Sequence, residues 1–408
     1  MTTTLLRGGQ VFDGTGSAPF PADVLLEDGR ISAVGTAVPD TADTVIDVSG
    51  QTVLPGLIDC HVHMVFSGKD TLGQLQEPFS YQFYEAERNL GRTLDLGITT
   101  VRDAGGSDLG IQQASADGLI DGPDLAIAVT VLGPTGGHTD GWSVNGGYHH
   151  LLQAHPGRPE MVVDGPDNMR RRVRELARAG ANVIKICTSG GVLSPRDDPK
   201  HPQFSMAELT ACVEEAEAHG LPVMAHAQGK PGILNALRAG VRSIEHGIYA
   251  DDECLDLMGE KGAFLVPTLV APVGLIEAID AGARVPAAVE AKARAVVQVH
   301  QDMFAHAAGH GIKIAMGTDA GVFAHGINLR ELDLMARGGM APAAVLTAAT
   351  ANAAELIGWT DRGKIEAGLR ADLVVLDGDP FEFTTFRDRI RRVFKAGRQV
   401  RDRSATVN

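Results

Sequence analysis

Two histidines separated by one residue, His61 and His63 in the segment Pro55–His63, are the first residues of the chain whose type and spacing suggest chemistry. On an extended strand successive side chains alternate faces, so this pair projects to one side while Val62 projects to the other. Two imidazoles on a rigid strand can grip a transition metal without ordering a loop, although the same spacing also arises from two half-buried core histidines. Four further groups follow downstream: Lys185 between Ile184 and Ile186, then His226, His246 and Asp319. A lone strand histidine is ordinarily a satisfied core residue. Six metal-type groups falling in register at strand ends are read together as a metal centre.

Lys185 is the odd member, because a lysine between isoleucines would bury an ammonium at great cost unless something neutralised it. Two solutions are open. One is an ion pair with a carboxylate such as Asp103 or Glu245. The other is loss of the proton by desolvation and addition of carbon dioxide, giving a carbamate whose two oxygens can bridge two cations.

The elements that must position these groups are legible as pattern. From Leu57 to about Ala354 short apolar runs alternate with amphipathic stretches, the mark of βα units and a parallel sheet. Eight strands are predicted: Leu57–Val65, Thr99–Asp103, Leu125–Leu132, Val183–Thr188, Val223–Ala227, Ser243–Gly247, Phe264–Leu269 and Lys313–Thr318. Eight such units imply an α/β fold of the (β/α)8 TIM-barrel type, with helices Pro166–Ala179, Met206–His219 and Ala287–His310 in its outer ring. Active sites in this barrel gather at the C-terminal strand ends, where the six groups fall. Both chain ends instead alternate apolar and polar residues with glycine turns, so residues 1–56 and 360–408 are expected to pair into one small β-sandwich beside a barrel of residues 57–359. The chain of 408 residues has room for both.

The formal net charge of −15 disfavours nucleic acid and anionic membrane surfaces as partners and leaves small molecules open. No apolar run reaches the ~18 residues of a membrane span, and the N-terminal residues lack the pattern of a secretory leader, so a cytoplasmic location is expected. Cys60, Cys187, Cys212 and Cys254 are scattered and are read as reduced thiols.

The order His-x-His, lysine on the fourth strand, histidines on the fifth and sixth, and Gly-Thr-Asp after the eighth resembles the binuclear metal-dependent members of the amidohydrolase superfamily. Six segments sharpen the likeness: 8–16 (GGQVFDGTG), 133–140 (GPTGGHTD), 188–194 (TSGGVLS), 225–229 (AHAQG), 243–249 (SIEHGIY) and 317–321 (GTDAG). They resemble the branch of Xaa-Pro dipeptidases (prolidases) and Xaa-Arg/Lys carboxypeptidases, with imidazolonepropionases in a neighbouring branch. The resemblance implies two divalent cations, zinc foremost, with cobalt, manganese or iron as alternatives. His61, His63 and Asp319 would hold the first and His226 and His246 the second, with carboxylated Lys185 and a hydroxide bridging them. Gln228 departs from relatives that carry a third histidine there. A homo-oligomer is expected on the same ground.

The expected activity is hydrolysis of a dipeptide or N-acyl amino acid. Alternatives are an aromatic amino-acid conjugate of the ochratoxin kind, a cyclic amide, or a non-catalytic scaffold of the same fold. Asp319 would act as base and then acid, and His138, in a glycine-rich loop after the third strand, would hydrogen-bond the developing oxyanion. Tyr249 is a candidate for the substrate carboxylate, against a surface tyrosine, and His325 a candidate pocket residue. His149, His150, His155, His201, His219, His300, His306 and His310 are read as structural or solvent-facing. The segments Met64–Glu85, with Phe79, Tyr81, Phe83 and Tyr84, and Val270–Pro286 are expected as loops that shape specificity, unless those aromatics pack an outer helix.

Overall fold

In the computed structural model, which describes residues 3–38, 42–68, 73 and 76–404, the alternating sequence at the two chain ends forms one eight-stranded sheet. Strands β1 (Thr3–Val11), β2 (Phe20–Glu27), β3 (Arg30–Gly35), β4 (Thr44–Asp47) and β5 (Gln51–Pro55) come from the N-terminal side. The barrel strands follow, and β15 (Leu373–Asp377), β16 (Ile390–Lys395) and β17 (Arg398–Asp402) complete the sheet in the order β17-β16-β15-β5-β1-β2-β3. β1 carries the branch: Thr4–Arg7 pair with β4, Gln10–Val11 pair with β5, and a register shift between Leu6 and Gly9 separates the halves. Gly8 has φ +82, a conformation that favours glycine, and its absent side chain leaves room for Ser49 Oγ at 2.7 Å from where a Cβ would stand. Leu6, Val24 and Val53 from one chain end and Val375 and Phe394 from the other share one apolar core.

The barrel strands are β6 (Leu57–Val62), β7 (Ile98–Asp103), β8 (Asp124–Ile127), β9 (Val131–Leu132), β10 (Ile184–Cys187), β11 (Val223–Ala227), β12 (Ser243–His246), β13 (Phe264–Val266) and β14 (Lys313–Ile314). All pair in parallel, β6-β7-β8 and β9 through β14. The single third strand expected from sequence is broken in two by Val129, whose φ of +67 turns the chain between β8 and β9. The eighth is regular only over Lys313–Ile314, shorter than expected, because the chain then swings to β6. There Cys60 N–H donates to Met316 O (2.9 Å), Asp319 N–H to His61 O (2.7 Å) and His63 N–H to Ala320 O (2.7 Å), joining the last strand position to the first.

The helices begin where local chemistry starts them. Ser205 and Glu208 form a reciprocal capping box before helix Met206–Ala218, and Pro166 opens helix Pro166–Arg178. The first of the two segments expected as loops ends in a helix, and most of the second is helical. Tyr81, Phe83 and Tyr84 lie on helix Tyr81–Leu94, and Val270–Asp280 is a helix that packs Leu275 against Ala293 and Val296 of helix Ala287–Ala308. Of the first segment, residues 69–72, 74 and 75 lie outside the described residues.

Candidate metal centre

The barrel lumen is threaded by charge. Arg102 on β7 reaches across it, donating to Cys60 O (2.6 Å), Ser243 Oγ (3.1 Å) and Glu245 Oε1 (2.8 Å). Glu245, fully buried on β12, accepts from His61 Nδ1 at 2.7 Å. Burial would raise this carboxyl, but Arg102 and His61 bring it down to about 2. His61 itself is lowered to about 4 by burial and by Lys185, so it stands as a neutral imidazole with its proton on Nδ1 and the lone pair of Nε2 directed inward.

The same second-partner logic fixes the other rings. His63 Nδ1–H donates to Gly105 O at 2.8 Å, which frees Nε2. His226 on β11 donates from Nε2 to Gly190 O at 3.1 Å, which frees Nδ1. His246 ends β12 with φ +71, its Nδ1 2.7 Å from Thr268 Oγ1, so with that hydroxyl accepting, Nε2 is free. Thr268 also has a positive φ, and its turn is anchored by Glu331, which accepts from Leu269 N (2.9 Å) and Val270 N (2.8 Å). Three of the site's non-glycine residues, His246, Thr268 and Asp319, thus sit in left-handed backbone, a strain that clusters at functional sites.

Asp319 Oδ1 lies 3.4 Å from His61 Nε2 and 3.3 Å from His63 Nε2. Burial would raise its carboxyl, but His61, His63 and Lys185 together bring it down to about 2. The ligand atoms of His61, His63 and Asp319 all lie within 4.8 Å of one another, a spacing that one cation can span. His226 and His246 adjoin them, with ring centroids 4.7 Å apart and His246 5.1 Å from His61. Lys185, 2% exposed, places Nζ 3.4 Å from His61 Nε2. Burial lowers its pKa even with Glu245 opposing the shift. Neither carboxylate considered for it is free: Glu245 is bound by Arg102 and His61, and Asp103 by Met64 N, Gly105 N and Ser107. Among the described residues no carboxylate forms an ion pair with Lys185. Converging ring nitrogens, an ionised carboxylate and a buried amine with no carboxylate partner make up a donor set that fits divalent cations.

His138 also joins the centre. Its ring stacks on His226 at 4.5 Å, and Nδ1 meets Ser194 Oγ (2.8 Å) and Asp197 Oδ2 (3.3 Å) in the loop after β10. Ser194 Oγ also donates to Asp197 Oδ1, so it accepts from His138. Lys292 on helix Ala287–Ala308 clamps this loop, donating to Gly191 O (2.6 Å), Ser194 O (2.5 Å) and Asp197 O (3.0 Å). Burial of Asp197 would raise its carboxyl, yet His138, Ser194 and Lys292 hold it well below the usual carboxylate range. Gly191 makes room for the ring: a Cβ there would lie 2.1 Å from His138 Cε1.

Tyr249 is half-buried beside an apolar cluster with Ile248 and Leu275, and the Lys200 ammonium sits 5.0 Å from its ring centroid. His325, expected as a pocket residue, lies beneath His63. It is 4% exposed, and both its ring nitrogens have protein partners, Nε2 at 3.2 Å from His63 O and Nδ1 at 3.3 Å from Thr93 Oγ1, so it buttresses the main chain of His63. Gln228 is buried with Oε1 unpartnered. Sequence reasoning missed Arg102, Thr268, Glu331, Asp197 and Lys292. Only Arg102 left a signal, as a cation inside a β-branched strand.

A barrel whose strand ends carry such a cluster defines a class of metal-dependent hydrolases, and comparison places the chain in it. Residues 52–400 match the amidohydrolase family, and the chain belongs to that family. It is a hydrolytic enzyme acting on amide bonds. It is 34% identical to the ochratoxinase of Aspergillus niger over 403 residues, covering 93% of this chain and 82% of the relative. A prolidase solved with N-methylphosphonate-L-proline superposes with a TM-score of 0.90 at 35% identity, covering 98% of this chain and 100% of the other. A Xaa-Pro dipeptidase with methionine in its active site gives 0.88 at 34% identity, covering 98% and 99%.

Proposed function

We propose that the chain is a binuclear metal-dependent hydrolase that cleaves the amide bond of a dipeptide or N-acyl amino acid, releasing a C-terminal residue such as proline. The observation that carries this reading is the convergence of His61, His63, Lys185, His226, His246 and Asp319 at one barrel mouth, with the outer nitrogen of each ring already engaged. His61, His63 and Asp319 would hold one cation, His226 and His246 the other, and Lys185, as its carbamate, both. Once bound, the cations supply Lewis acidity and a water made acidic enough to attack near neutral pH.

The chain's own groups do the rest. The Asp319 carboxylate takes a proton from the attacking water on Oδ and passes it to the leaving nitrogen. His138, its Nδ1 held by Ser194 and Asp197, is the candidate to hydrogen-bond the developing oxyanion through Nε2. Tyr249 is the candidate for the substrate carboxylate. Four buried, unpaired thiols support a reducing, cytoplasmic setting.

The 34% identity to an ochratoxinase favours a second reading, an aromatic amino-acid conjugate as substrate. The test is a panel of Xaa-Pro dipeptides, N-acyl amino acids, ochratoxin-type amides and imidazolonepropionate with metal-loaded enzyme. Turnover of the proline dipeptides is expected. Silence on every peptide and N-acyl amino acid refutes the leading reading, and metal content well below one ion per chain would favour the scaffold.

A further inference from the structure

A second group of metal-type residues lies on the outer helices, away from the barrel mouth. Helix Asp252–Lys261 follows β12 and presents Asp252 and Asp256 four residues apart. Facing it, the end of helix Ala287–Ala308 presents His306 and His310, also four apart, the last turn continuing through His310 N–H to Ala307 O (3.0 Å). Residues at that spacing share a helix face. His306 Nε2 lies 2.5 Å from Asp252 Oδ1, and His310 Nε2 lies 2.9 Å from Asp256 Oδ1. The two rings stand 5.6 Å apart, and ligand atoms of Asp252, His306 and His310 all fall within 4.8 Å of one another.

We infer that His306, His310 and Asp252, with Asp256 beside His310, form a peripheral site for a borderline transition-metal dication such as Zn2+, Ni2+ or Cu2+, separate from the catalytic centre. Two features set this cluster apart from two ordinary surface ion pairs. Each imidazole turns Nε2 to an aspartate of the facing helix, and Asp252 stands close enough to both histidines for one cation to span the three. Among the described residues, no lysine or arginine pairs with either aspartate, so their charge faces the histidines alone. Two imidazoles with carboxylates select Zn2+, Ni2+ or Cu2+ over Mg2+ and Ca2+, which prefer all-oxygen shells. A cation there would tie together two helices, one of which donates from His300 Nε2 to His246 O (3.0 Å) behind the sixth-strand ligand.

The test uses tag-free, metal-loaded enzyme. Equilibrium dialysis against Ni2+ or Zn2+ should show one more equivalent bound by wild type than by H306Q/H310Q, and wild type alone should be retained on a nickel-chelate column and gain melting temperature with added Ni2+. Both proteins should hydrolyse substrate equally and melt alike without added cation, and the single variants H306Q and H310Q should each lose the site. Equal binding and retention by wild type and double variant overturns the proposal. So does undiminished binding by D252N, which would leave that carboxylate outside the coordination sphere.

Discussion

Replacing Gly191 by alanine isolates the part played by His138. Gly191 is not in left-handed backbone, so the added methyl brings no φ penalty, and its whole effect is steric. The new Cβ would lie 2.1 Å from His138 Cε1 and 2.6 Å from both ring nitrogens, whereas ordinary contact begins at 3.4 Å. The ring must therefore yield by about 1.3 Å, and it is hemmed in by the stacked ring of His226. A displacement of about 1 Å in a group that positions or stabilises the reacting atoms can cost ~10²-fold in rate. We expect kcat to fall about a hundredfold in G191A, close to the ~10²- to 10³-fold loss that removal of an oxyanion donor brings in H138A. In the H138A background the same methyl should cost almost nothing, since the two changes act through one ring. Steady-state kinetics on the best substrate of the panel, metal analysis and thermal melts of the four proteins provide the assay. Near wild-type turnover by G191A, or a further tenfold loss on adding G191A to H138A, would refute a role for His138 in the reaction.

Other expectations follow from the same geometry. K185A should lose bound metal and turnover together, and apo-enzyme reconstituted without carbon dioxide should regain activity slowly until bicarbonate is added; retained rates with full metal content would exclude the carbamate. E245Q removes the anion that faces Arg102 in the lumen and should destabilise the fold by ~3–5 kcal/mol, read from denaturant melts. Chelation should abolish turnover, and Zn2+, Co2+ or Mn2+ should restore it. Burial raises the Glu331 carboxyl from 4.5 to about 8, so the stability tied to its protonated form is present below pH 4.5 and lost as pH rises through 8. Melting temperature should fall over that window, and E331Q should flatten the slope; identical slopes would contradict this.

Much of the architecture and the candidate metal-type side chains could be read from residue order, because barrel strands and the residues at their ends are local features. A period-two or apolar run announces a strand, and a histidine or aspartate at its C-terminal end marks a candidate site residue. The break at Val129 and the swing after Ile314 left no such mark, since each is imposed by backbone hydrogen bonds to distant strands. The helices at Tyr81–Leu94 and Val270–Asp280 escaped for a related reason: their apolar faces make sense only against neighbours met on folding. Sequence alone therefore named the six metal-type side chains and the sheet that had to carry them. The tertiary structure decided which nitrogen of each ring faces inward, that Lys185 lacks a carboxylate partner, that His325 supports the chain beneath His63, and that Asp197 and Lys292 hold His138. Each of those depends on groups separated by tens to hundreds of residues, and only closure of the barrel brings their charges and hydrogen bonds within reach.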